Sequence, residues 1–161
     1  MRTLATLITV FISCSIGVAR LGWTEEPSSE RVERTAEART DLEEQDRAVK
    51  VWNRYAQCLK DRRFQPCFSL LSRNVLETWR RLYDVTTSAQ YADVKGSEEV
   101  SYTALTISHI KRQGNQIVVS ARTRGDGEGG KFAGQMEVLL VKEEGNWRID
   151  RIVEEGTKYL P

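Results

Sequence analysis

His109 is the only histidine among 161 residues, so it is the only side chain whose ordinary pKa suits proton transfer near neutrality. It follows Leu105 and Ile107 at two-residue spacing, which on a strand puts all three on one face. Catalysis would pair it with a tyrosine or with a carboxylate such as Asp84, Asp93 or Asp150 to orient the imidazole, and nothing in the sequence pairs them. The plainer reading is a partly exposed strand histidine. Cys58 and Cys67 fall near the end of one expected helix and the start of the next. An antiparallel pair of helices brings their Cα atoms into disulfide range, about 4.4–6.8 Å. Closing so short a loop stabilises by roughly 2–3 kcal/mol. In an oxidising compartment a Cys58–Cys67 disulfide is therefore expected, the alternative being two buried thiols. No histidine or third cysteine lies near them, so no metal site is expected. No motif calls for a cofactor.

Two fragments imitate known motifs and fail on context. Residues 125–131 read Gly-Asp-Gly-Glu-Gly-Gly-Lys, close to a phosphate-binding loop. Phe132 stands where that loop needs a hydroxyl, a strand follows where it needs a helix N-terminus, and Asp126 and Glu128 repel an anion. A flexible hairpin tip is the reading that remains. Ser108-His109-Ile110-Lys111 has the Ser-x-x-Lys spacing of penicillin-binding enzymes, but it sits within a strand and its companion motifs are absent.

The elements that position these residues follow from periodicity. Val49, Trp52, Tyr55, Ala56 and Leu59 make a helical stripe over about residues 46–62. Pro66 suits the first turn of a second helix, with Cys67, Leu70, Leu71, Val75, Leu76 and Trp79 on its apolar side, running to about residue 83. The connection between them is three residues, which predicts an antiparallel hairpin. Tyr91 marks a short third helix. From Val100 the period becomes two, giving strands over about 100–113, 116–124, 131–143 and 147–155, with turns at Gly114-Asn115 and Glu144-Gly145-Asn146. Helices first and strands last predict an α+β fold with an antiparallel sheet.

The first nineteen residues belong to no such element. Arg2 precedes an uncharged, mostly apolar run over residues 3–19 that ends in Gly17-Val18-Ala19, the layout of a cleavable signal peptide. Two other readings fit: a lipoprotein modified at Cys14, although Phe11 departs from the usual lipobox, and an uncleaved membrane anchor. All three put the domain outside the cytoplasm, periplasmic or secreted, touching a membrane only through its leader or lipid. Residues 20–45 form a charged spacer or a helical extension, and 46–161 form the domain. Residues 25–47 hold nine acids and four bases, whereas residues 48–161 hold fourteen acids and eighteen bases. The formal net charge is +1, and Lys60, Arg62, Arg63, Arg73, Arg80 and Arg81 on the hairpin lack interleaved aromatics, so nucleic acid is not an expected partner.

This order of elements resembles the nuclear transport factor 2-like superfamily, especially its small exported bacterial members of unknown function. The resemblance is carried by Trp52, Tyr55 and Leu59, by Asp61 in the turn, by Leu70-Leu71-Ser72, and by Gly145-Asn146-Trp147-Arg148-Ile149-Asp150. It covers about residues 46–155 and implies a cone: a helical hairpin on a curved four-stranded antiparallel sheet, with a cavity between. Such cones serve as dehydratases, isomerases, binding proteins and scaffolds, so fold leaves function open. The aromatic residues Trp52, Tyr55, Trp79, Tyr83, Tyr91, Tyr102 and Trp147 read as hydrophobic core or, with Trp52, Tyr55, Trp79, Tyr83, Tyr102 and Trp147 as its walls, as a pocket for a small apolar ligand. The first functional expectation is an exported, non-enzymatic module of the cell envelope that binds a small apolar ligand or a protein. The alternatives are a cavity enzyme of dehydratase or isomerase type using His109, and a scaffold that forms homodimers through its open sheet face.

Overall fold

The computed structural model describes residues 29–160; the apolar run at residues 3–19 and its cleavage site lie outside them. Helix α1, Ser29–Asp61, is one continuous element of 33 residues. Its side chains from 36 to 43 are all exposed, and only from Ala48 onward does it carry a buried stripe of Ala48, Trp52, Tyr55, Ala56 and Leu59. The first half buries no apolar stripe among its described side chains and meets the sheet through charges instead, Asp41 with Arg112 and Glu44 with Lys142 and Trp147. The helix closes on Arg62, which adopts a left-handed backbone with φ 53°. The amides of Arg62 and Arg63 donate back to the carbonyls of Leu59 and Cys58, the paired bonds that end a helix at a left-handed residue.

The second expected helix is broken in two: α2, Phe64–Phe68, and α3, Arg73–Tyr83. The sheet is the cause. Between them Leu71 forms a bridge to Ile149, where the Ile149 amide donates to Leu70 O and the Ser72 amide to Ile149 O, both at 2.8 Å. Ser72 is fully buried and restarts the helix: its Oγ accepts from the Val75 amide at 3.2 Å and donates to Asp150 at 2.8 Å. The Leu-Leu-Ser and Trp-Arg-Ile-Asp segments, distant in sequence, thus form one joint. Helix α4, Ser88–Ser97, opens with a capping box between Thr87 and Gln90 and buries Tyr91.

Four strands follow as an antiparallel meander in the order β1-β2-β3-β4: Ser101–Gln113, Gln116–Gly127, Gly130–Glu143 and Asn146–Tyr159. The fold is therefore α+β, with helices on one face of an open four-stranded sheet, the architecture that the family resemblance implies. The core lies between α1 and the inner face, where Ile117, Val119, Met136, Val138, Leu140 and Ile149 are buried. Register shifts at Tyr102/Ala104 and Ile107/His109 in one edge pair, and at Ala133/Gln135 and Leu139/Leu140 in the other, curl both edges around the helix. The glycine-rich segment is not a long loose tip: Asp126 pairs with Lys131 and Gly127 with Gly130. Gly125 must be glycine there, because a Cβ would lie 2.2 Å from the Ser101 carbonyl oxygen.

Candidate functional site

A cavity of about 240 Å³ lies between the second half of α1, the helices α2, α3 and α4, the start of β1 and the middle of β3 and β4. Its aliphatic walls include Leu59, Leu71, Val75, Met136 and Ile152, and its aromatic walls include Phe64 and Trp79. Three phenols enter it. Tyr55 is buried on α1; burial, then the neighbouring Tyr91 phenol of α4, pushes the Tyr55 phenol well above its ordinary range. Burial likewise raises Tyr91, whose ring meets Trp79 edge-on at 4.9 Å. Tyr102 donates to the Glu154 carboxylate, and burial followed by that carboxylate raises its pKa too. All three phenols remain protonated near neutrality, so they serve as hydrogen-bonding groups and none is poised as a general base.

The mouth is charged. Lys95 lies over the Trp79 ring, 5.6 Å from its centroid, and contacts Glu98 at 2.8 Å. Glu154 of β4 also lines the cavity. The segment that forms this rim is held by Arg62, whose guanidinium donates to the carbonyls of Val100, Gly96 and Glu98 at 2.7, 2.8 and 3.1 Å. Arg62, one of the basic residues of the hairpin, is exposed, and its own left-handed backbone closes α1.

The aromatic residues proposed from sequence divide into three groups. Tyr55, Trp79 and Tyr102 line the cavity. Trp52 lies in the core beneath it, fully buried. Trp147 packs at the other end of the sheet, its Nε1 donating to Glu44 at 3.0 Å, and Tyr83 is 57 % exposed, stacked on Trp79 from outside. Sequence reasoning did not single out Lys95, Glu98 and Glu154. Only Glu154 left a signal: it occupies the inward position two after Ile152, opposite Met136, where an apolar residue is expected.

His109 does not reach the cavity. The register slips between Ile107, which faces Ala121, and His109, which faces Ser120. That bulge reverses the alternation after Ile107, so His109 leaves the face of Leu105 and Ile107 and is exposed on the outer side of the sheet. The disulfide expected between Cys58 and Cys67 is not formed in this structure; both are free, buried thiols. Burial, then the Cys58 thiol, pushes Cys67 far up, and a protonated, water-excluded thiol is a poor partner for exchange. Among the described residues, no group of three or more His, Cys, Asp or Glu side chains is arranged to hold a metal ion.

No protein-family model matches the chain, and no curated protein matches it. Among solved structures it is similar to a designed NTF2-like protein, Rd1NTF2_05 carrying further substitutions, at 15 % identity over 69 % of this chain and 98 % of that one, with a TM-score of 0.46.

Proposed function

We propose that this domain is a non-enzymatic binding module whose cavity takes one small, largely apolar molecule. The observation that carries the reading is the cavity itself: about 240 Å³ walled by aliphatic and aromatic side chains, with phenols from three elements turned into it. Drug-sized sites run to about 300–1,000 Å³, so the ligand is smaller, on the scale of one substituted ring. The exposed position of His109 removes the support that the sequence offered to a dehydratase or isomerase. Trp79 lines the cavity and reports on occupancy. Titration with 2-phenylethanol should change tryptophan fluorescence saturably. Val75→Phe, which fills the cavity from α3, should weaken binding at least about tenfold while the far-ultraviolet circular dichroism is kept. Equal affinity in Val75→Phe would sink this reading.

A homodimer through the outer sheet face is a second reading. The half-buried Leu139 and the 39 % exposed Val153 lie there, with Glu137 and Arg151 beside them, so a two-fold copy can set Arg151 against Glu137. Light scattering on the full chain tests it, and Leu139→Glu should leave only monomer. Export rests on residues 1–19 alone; the intact mass of chain made in an exporting host should begin after Ala19, whereas a lipid adduct on Cys14 or a retained leader would replace cleavage by one of its two rivals.

A further inference from the structure

The cavity does not end at its mouth. Glu98, Val100 and Glu154 also line a second hollow of about 470 Å³, walled by Phe132 and Tyr159 and rimmed by Glu99 and Glu128. The two hollows therefore adjoin, the inner one walled by aliphatic side chains and phenols and the outer one by Phe132 and Tyr159. The charge around them is mostly negative. Four carboxylates face them, Glu98, Glu99, Glu128 and Glu154, and both oxygens of Glu98 take up the Lys95 ammonium, at 2.8 and 2.9 Å. Arg62 adds a second positive charge at the rim, its guanidinium turned to the carbonyls of Val100, Gly96 and Glu98, so the four carboxylates outnumber the cations two to one. Glu99 and Glu128 form no ion pair among the described residues, and Glu154 meets only the Tyr102 hydroxyl. Lys95 already shows what the mouth accommodates: an ammonium resting on an indole face with a carboxylate beside it.

We propose that the ligand is an amphipathic cation, its ring or short alkyl body in the inner chamber and its ammonium or guanidinium head at the mouth, between Glu154 and the Phe132 and Tyr159 rings. The inference rests on the reading that the inner chamber binds a small apolar molecule, and it adds the charge of the head group. The apolar chamber supplies the binding and the carboxylates supply the choice. A neutral head leaves the acidic rim uncompensated, and an anionic head is repelled by it. The exposed carboxylates attract the head only modestly each, so the preference comes from several acting together with the aromatic walls.

The test uses three near-isosteres on the full chain, followed by calorimetry and tryptophan fluorescence at low salt: 2-phenylethylammonium, 2-phenylethanol and 3-phenylpropanoate. The cation should bind about tenfold tighter than the alcohol, and the carboxylate weakest of the three. Raising the salt should narrow the gap between cation and alcohol. The double variant Glu128→Gln/Glu154→Gln should lose most of the cation's advantage while its affinity for the alcohol stays within about twofold of the parent. Equal binding of cation and alcohol, or tighter binding of the carboxylate, overturns the cationic ligand and leaves the apolar chamber standing. Binding of none of the three overturns both.

Discussion

Arg62→Ala should loosen the rim of the cavity, and the size of the effect can be worked out from the contacts. The guanidinium makes three hydrogen bonds to the carbonyls of Gly96, Glu98 and Val100, the stretch that joins α4 to β1 and carries Glu98. Hydrogen bonds to charged groups are worth about 1.5–3 kcal/mol each when sheltered. Arg62 is exposed, so solvent screening lowers each to roughly 0.5–1 kcal/mol. The expected loss for Arg62→Ala is therefore about 2 kcal/mol. The backbone supplies a control. Arg62 sits at φ 53°, where a residue with a Cβ costs on the order of 1 kcal/mol relative to glycine. Arg62→Gly loses the same three bonds but relieves that strain, so its net loss should be only about 1 kcal/mol. Urea unfolding followed by tryptophan fluorescence gives the free energies, and amide exchange over residues 96–101 shows whether the loss is local. If Arg62→Ala matches the parent within about 0.5 kcal/mol, or Arg62→Gly is the less stable variant, the rim is not held as described.

Three further outcomes are expected. Ser72→Ala removes the cap of α3 and one of the two hydrogen bonds to Asp150, leaving that from Asn74, so it should cost about 1–2 kcal/mol in urea unfolding, with Ser72→Thr closer to the parent. Glu44 accepts hydrogen bonds from Lys142 and from Trp147, and the Lys142 bond chiefly holds its pKa below the ordinary value, against a smaller opposing effect of burial. A depressed folded-state pKa contributes stability above the unfolded-state pKa of about 4.3 and loses it as pH falls through the lower folded value. Acid should therefore weaken the parent more than Glu44→Gln, read from urea midpoints between about pH 6 and pH 3; parallel curves would contradict the contact. Cys58 and Cys67 should resist a thiol-reactive dye in the native protein and both react in denaturant, since both are buried and burial keeps Cys67 protonated; prompt native labelling would count against that burial.

Particular residues show where a one-dimensional reading works. The stripe of Trp52, Tyr55, Ala56 and Leu59 marks the inward face of α1 because helical spacing alone puts those side chains together. The four strands and their turns follow from period-two alternation and from glycines at tight corners. The break between α2 and α3 had no such mark. The apolar spacing runs unbroken through Leu70 and Leu71, and only the edge of β4, 78 residues away at Asp150, draws that stretch out of helical geometry. Tertiary pairing there outweighs local propensity.

The candidate site divides along the same line. Tyr55, Trp79 and Tyr102 stand out by residue type, but whether an aromatic lines a cavity, fills the core or faces solvent depends on which elements pack around it. Tyr83 and Trp52 show both of the other fates. His109 is the sharpest instance: one bulged residue reverses the face of everything after it, and a bulge has no reliable mark in local sequence. The sequence by itself determined the order of elements and the α+β class, because hydrophobic periodicity and turn chemistry act over a few neighbours. Only the tertiary structure decided which charges meet at the cavity mouth. Lys95 and Glu98 come from α4 and its end, Glu154 from the last strand, and Arg62 from the close of α1. Their meeting depends on sheet curvature and helix caps, which are set by contacts between segments far apart in the chain.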